Sequence, residues 1–102
     1  IYKGCAVAES DYFSEDMRVV APQAADELLG IDGVDGSFVL FDTDGVINIS
    51  ARSMGGINVQ IIMEKLGGGG HHTMAGAQLK GIEIEKAKQM LLESIDQYFE
   101  ER

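Results

Sequence analysis

The sequence predicts an α/β fold, a mixed β-sheet with packed helices, and three observations carry that reading. Cys5-Ala6-Val7-Ala8 is nearly continuous in small apolar residues, as in a strand covered on both faces. Ser37–Phe41 and Val46–Arg52 flank Asp42-Thr43-Asp44-Gly45, and Asp-Gly supplies the positive φ that a hairpin loop needs. Elsewhere apolar residues recur at helical spacing, most clearly near the C-terminus. A chain of 102 residues makes one compact domain with a modest core.

In chain order, residues 1–9 read as a strand and residues 10–16 as a loop or an irregular helix entry. A helix is expected from Val20 to Leu29, with Pro22 in its first turn, where its missing N–H costs nothing. Ala21, Ala25, Leu28 and Leu29 form its apolar face, Asp26 and Glu27 face solvent, and Gly30 serves as C′ residue. Asp32-Gly33 makes a turn before the Ser37–Phe41 strand. In the return strand Val46–Arg52, Ile47, Ile49 and Ala51 share the core face, while Asn48, Ser50 and Arg52 share a polar one. A second helix is expected over Asn58–Leu66, with Asn58 as N-cap and Ile57 and Ile62 as a hydrophobic staple. It ends at Gly67-Gly68-Gly69-Gly70. Thr73–Ala77 reads as one short helical turn and Gln78–Lys80 as a short strand. Ile84, Ala87, Leu91, Ile95, Tyr98 and Phe99 mark the last helix, about Glu83 to Glu100.

Charge narrows the function. A net charge of −9 repels a polyphosphate backbone, which argues against a general nucleic-acid binder but leaves room for a small anion held by local positive groups. The single Cys5 excludes an intrachain disulfide and a cysteine-based zinc site, and it fits a small core residue. No apolar run reaches the roughly 18 residues of a membrane span. The start at Ile1-Tyr2-Lys3, without Met, suggests an excised part of a longer protein.

The chemistry centres on Gly67-Gly68-Gly69-Gly70-His71-His72. One reading is an anion cradle, since successive glycine N–H groups can line a concavity and the missing Cβ atoms let a phosphate approach. The other is a flexible connector after a helix cap. The run is neither a P-loop nor a dinucleotide fingerprint, because no Gly-Lys-Ser/Thr follows it and no strand precedes it. Adjacent histidines on an extended segment point to opposite sides, and no further ligands stand at zinc spacing, so a metal site is not expected. Arg52, ending a polar strand face, has the planar fork that suits a phosphate, with Ser50 and Ser53 offering hydroxyls nearby.

Ser50-Ala51-Arg52-Ser53, a helix, and then Gly67-Gly68-Gly69-Gly70-His71 followed by Ala75-Gly76 resemble the C-terminal DHH-associated domain of the DHH phosphoesterase superfamily. That superfamily includes RecJ-type exonucleases, nanoRNA hydrolases and cyclic-di-AMP phosphodiesterases. The element order agrees along the whole chain, and Ile57-Asn58-Val59-Gln60-Ile61-Ile62-Met63-Glu64-Lys65-Leu66 before the glycines is most similar to the membrane-anchored cyclic-di-AMP branch. The resemblance implies that residues 1–102 are the substrate-binding half of a two-domain, manganese-dependent phosphodiesterase. Arg52 and Ser53 would contact phosphate, and Gly68, Gly69, Gly70 and His71 would hold the nucleotide. No catalytic residue and no metal ligand is expected in this chain. The Mn²⁺ ions would belong to an upstream Asp-His-His domain, and this half would be inactive alone.

The implied partners are a cyclic dinucleotide or short oligonucleotide, the upstream domain and optionally a second copy in a homodimer. Neither long nucleic acid nor direct membrane contact is implied. The implied location is cytoplasmic, at the cytosolic side of the membrane if the longer protein is anchored. The alternatives are a short-oligonucleotide hydrolase and a non-catalytic nucleotide-sensing module. Met74 departs from the family pattern, which has a small residue there, and His72 falls at a variable position and inherits no role.

Overall fold

The computed structural model describes residues 2–10 and 17–101; the stretch 11–16, expected as loop or helix entry, lies outside the described residues. The order of elements is β1 (Cys5–Ser10), α1 (Met17–Leu28), β2 (Gly36–Thr43), β3 (Val46–Ser53), α2 (Val59–Glu64), β4 (Gly69–His71), β5 (Met74–Lys80) and α3 (Ile84–Glu100). The five strands form one sheet in the order β1-β2-β3-β5-β4. β1 runs parallel to β2 and every other pairing is antiparallel, so the sheet is mixed, as expected.

Strand alternation separates two layers. Phe38 and Leu40 of β2, Ile47, Ile49 and Ala51 of β3, and Ala75 and Ala77 of β5 form one core with Val59, Ile62 and Met63 of α2 and Ala87, Leu91 and Ile95 of α3. On the other face Val39 and Phe41 meet Ala21 and Ala25 of α1. Ser37 Oγ donates to the Ala25 carbonyl at 2.6 Å and Ser94 Oγ to the Ile62 carbonyl at 2.8 Å, so these buried hydroxyls tie helices α1 and α2 in place. Because α1 packs on β2 and β3, the same face of β5 and β4 is left uncovered by any helix among the described residues.

Several local expectations change. β1 starts at Cys5, because Tyr2 and Cys5 exchange backbone hydrogen bonds around a tight turn at Lys3 (φ 52°) and Gly4 (φ 79°). The Tyr2 hydroxyl and the Lys3 ammonium, 2.8 Å away, both bind Asp96 of α3. Lys3 first and the Tyr2 hydroxyl second hold the Asp96 carboxyl below the ordinary carboxylate range. Helix α1 begins at Met17, which puts Pro22 inside the helix rather than in its first turn. At its other end Gly30 keeps an ordinary φ, so it is not a left-handed C′ residue; Gly33, at φ 86°, belongs to the following turn, closed by the Val34 N–H on the Ile31 carbonyl.

The β2–β3 hairpin follows its sequence signal. Asp44 (φ 52°) and Gly45 (φ 83°) form the two-residue loop, and the Gly45 N–H is bound by Asp42 Oδ1 at 2.9 Å. Asn58 caps α2 by accepting from the Gln60 and Ile61 N–H groups. The short helical turn expected at Thr73–Ala77 is instead the first half of β5. Ala75, Ala77 and Leu79 lie opposite Ala51, Ile49 and Ile47, and the free edge of β3 takes this segment as its partner.

Candidate functional site

The four glycines do four different jobs. Gly67, at φ 84°, is the left-handed residue that closes α2. The Gly68 N–H reaches the Met63 carbonyl at 2.9 Å and the Gly67 N–H the Glu64 carbonyl at 3.1 Å, the crossed pair of a Schellman motif. Gly68 has no room for a side chain, because a Cβ there would sit 2.1 Å from the Gly76 carbonyl oxygen. Gly70 has neither the conformation nor the room: its φ is 146°, and a Cβ would meet Ala75 Cα and the Met74 carbonyl oxygen at 2.5 Å. Gly69 differs from these three. Its φ is outside the left-handed region and a Cβ would meet nothing within 4 Å.

The run is thus neither a mobile connector nor a simple cradle loop. Gly69–His71 is a strand, paired with β5 as Gly69↔Gly76, Gly70↔Ala75 and His71↔Met74. His72 and Thr73 make the turn, and that turn is held from outside. His72 Nε2 hydrogen-bonds the Gly55 carbonyl at 2.8 Å, the Val59 N–H donates to the His72 carbonyl, and the Ser53 N–H donates to the Thr73 carbonyl. His72 therefore has a structural task that sequence could not assign.

Register places the remaining candidates in rows across the uncovered face. Arg52 pairs with Met74 and Met74 with His71, which gives the row Arg52–Met74–His71 across β3, β5 and β4. The next row on that face is Ser50–Gly76–Gly69, and the one after it pairs Asn48 with Gln78. Strands lie about 4.8 Å apart and successive same-face rows about 7 Å. The middle row has almost no side chains, so the sheet backbone is bare between a cationic row and an amide row. A groove of about 540 Å³ opens on the amide-row side of this strip, lined among others by Pro22, Phe41, Asn48, Ser50, Gly76 and Gln78, with Lys80 beyond them along β5; Arg52, Met74, His71 and Gly69 stand outside its lining.

Arg52 reaches this face but is partly committed. Its side chain is only 13% exposed; Nη1 donates to the Ala51 carbonyl at 2.8 Å, and Nε lies 3.3 Å from Asp26 Oδ1 of α1. The Nε–H is not aligned on that carboxylate and stays buried without a hydrogen-bond partner. The Asp26 carboxylate is thus the anionic oxygen nearest this buried donor, and the pair is an ion pair without a well-aligned hydrogen bond. Asp26 is exposed, as expected from sequence, yet also serves as the ion partner of Arg52. The His71 side chain is exposed on the same face and makes no hydrogen bond among the described residues.

Ser53 does not join them. It has the same strand parity as Ala51, opposite to Arg52; its side chain is buried and its Oγ accepts the Gly55 N–H at 2.9 Å. Its hydroxyl shapes the turn after β3. The sequence places Asn48 only on the polar face of its strand, Gly76 only in the family motif, and Gln78 and Lys80 only in a short strand. For the last three the only signal is the alternation of Ala75, Ala77 and Leu79 with Gly76, Gln78 and Lys80, weakened by apolar Met74 and by the low strand preference of glycine and alanine. Among the described residues, no three His, Cys, Asp or Glu side chains are placed to hold a metal ion. The residues of this face therefore do not fit a manganese site.

Comparison with known proteins identifies the family. Residues 7–101 match the DHHA1 domain, and the chain belongs to that family. It is 49% identical over 98 residues to the cyclic-di-AMP phosphodiesterase GdpP of Geobacillus thermodenitrificans, covering 95% of this chain and 15% of that protein. It is 40% identical over 79 residues to the bifunctional oligoribonuclease and PAP phosphatase NrnA of Thermus thermophilus, covering 74% of this chain and 24% of that one. Among solved structures, an exopolyphosphatase-related protein from Bacteroides fragilis superposes with a TM-score of 0.77 at 25% identity, over 96% of this chain and 31% of the other. The chain thus spans about 15% of the length of the cyclic-di-AMP phosphodiesterases that it matches.

Proposed function

We propose that this domain is the substrate-binding half of a longer, manganese-dependent phosphodiesterase that hydrolyses cyclic-di-AMP to a linear dinucleotide. The observation that carries the reading is the bare strip of Gly69 and Gly76, bounded by Arg52 and His71 on one side and by Asn48 and Gln78 on the other. Gly69 has no packing or conformational reason to be glycine, so its missing side chain serves what lies on the face. Arg52, partly exposed and anchored by the Ala51 carbonyl and Asp26, supplies positive charge beside the strip, and exposed His71 supplies a donor. Gly68 and Gly70 let β4 lie flat on β5 and so keep Gly69 and His71 in register with Gly76 and Met74. Ser53 acts indirectly, by holding the turn that follows Arg52.

Bond cleavage belongs to an upstream Asp-His-His domain, whose metal would activate the attacking water. This half holds and orients the nucleotide, and alone it is inactive. Two cyclic-di-AMP phosphodiesterases at 49% and 48% identity support the substrate. A short linear oligonucleotide is the second reading, favoured by the likeness to NrnA. No helix among the described residues is long and apolar enough to cross a membrane. The location we propose is the cytoplasm, at the cytosolic face of the membrane if the longer protein is anchored.

The test uses the full-length protein with Mn²⁺, cyclic-di-AMP and a short RNA. Cyclic-di-AMP should be cleaved with the higher kcat/KM, and Gly69→Leu should abolish cleavage while leaving the thermal midpoint within a few degrees. Undiminished cleavage by that variant would remove the glycine strip from the site, and a preference for the RNA would select the second reading.

A further inference from the structure

We infer that Gln78 selects adenine over guanine, with Asn48 as the positioning residue that fixes its amide; this rests on the dinucleotide reading above. The chain of hydrogen bonds starts at a group whose polarity is not in question. The Val46 carbonyl can only accept, and the Asn48 side-chain nitrogen lies 3.1 Å from it and 2.7 Å from Thr43 Oγ1. Asn48 must therefore turn its NH₂ toward the β2–β3 turn and its Oδ1 toward β5. Oδ1 can only accept, so the Gln78 atom 3.0 Å away is the amide nitrogen Nε2.

Gln78 is thereby held one way round. Its Oε1 has no partner among the described residues, and Nε2 retains a second N–H; the residue is exposed and lines the groove. One free acceptor beside one free donor matches the adenine pair, N6–H₂ and N7. On that same edge guanine presents O6 and N7, two acceptors, and Oε1 would face O6 with like polarity. A free glutamine could rotate its amide to offer N–H to O6; the bond to Asn48 prevents this. The placement also suits a base. Gln78 stands four residues along β5 from Met74, about 14 Å from the row that holds Arg52, and Pro22 and Phe41 give the groove an apolar wall.

The full-length protein is assayed on cyclic-di-AMP and cyclic-di-GMP, with kcat/KM measured separately for each. Wild type should prefer the adenine compound. Gln78→Ala and Asn48→Ala should each cut that preference by about 10-fold or more, by lowering the adenine rate while sparing or raising the guanine rate. Gln78 is exposed, so its variant folds; for Asn48→Ala the ratio of the two rates cancels any loss of active protein. Variants that lower both rates equally, or that leave the ratio unchanged, would overturn the assignment while the dinucleotide reading stood. Wild-type protein that cleaved neither compound would overturn both.

Discussion

Alanine at three neighbouring glycines should give three different results. At Gly70 an added Cβ would lie 2.5 Å from Ala75 Cα and from the Met74 carbonyl oxygen, and the residue holds φ at 146°. Overpacking costs about 1–3 kcal/mol, and the backbone strain about 1–3 kcal/mol more. In a domain of this size each kcal/mol shifts the thermal midpoint by about 4–8 °C. Gly70→Ala should therefore lower it by at least about 10 °C. Gly68→Ala should be comparably damaging, since its Cβ would collide with backbone at 2.1 Å rather than with a flexible side-chain end. Gly69→Ala has open space and an unremarkable φ, and alanine is favoured over glycine in a strand by about 0.5–1 kcal/mol. Its midpoint should stay level or rise by a few degrees. Thermal unfolding followed by circular dichroism separates the three. Equal losses at Gly69 and Gly70, or a tolerated Gly70→Ala, would refute the assignment of the glycines.

Arg52→Ala in the full-length protein should raise KM for cyclic-di-AMP by roughly 10- to 100-fold, the worth of a charge-assisted hydrogen bond; unchanged kinetics would cancel its role. Cys5 is fully buried, and burial, with a smaller effect of Asp35, pushes its thiol up to about 11. A thiol reagent at about pH 8 should leave the native protein unlabelled and label it fully in denaturant, whereas fast native labelling would contradict the burial. Asp96 has a depressed folded pKa, so its stabilisation is present above the ordinary carboxylate range and is lost as pH falls through the depressed value. Asp96→Asn should therefore be less stable than wild type at neutral pH and converge with it in acid; a gap that persists unchanged into acid would mean the ion pair is not its source.

Some of this was legible in the residues and some was not. The β2–β3 hairpin announced itself, because Asp44-Gly45 can adopt two positive φ values cheaply and the flanking residues alternate. The Asn58 cap and the amphipathic α3 were equally local signals. The β4–β5 hairpin was not, because glycine and alanine have little strand preference and its turn is held by bonds to Gly55, Ser53 and Val59 that no local window contains. The candidate site depended on that missed element. Arg52 and His71 are separated by a helix in sequence, and only the order β3-β5-β4 puts them two strands apart on one face. The pairing of Asn48 with Gln78 needed the same register. Arg52 was legible as a candidate, but its pairing with Asp26 was not, since that depends on how α1 crosses the sheet.

The central claim, that the nucleotide lies on the glycine-floored face, is tested most directly at Met74. Its side chain is 51% exposed and sits between Arg52 and His71 in the cationic row, while Met90 lies on α3, across the sheet. The full-length protein is treated with dilute peroxide with and without cyclic-di-AMP, and sulfoxide at each methionine is followed by mass spectrometry. The nucleotide should slow oxidation of Met74 several-fold and leave Met90 unchanged. Equal rates at Met74 with and without the nucleotide would place the ligand somewhere else.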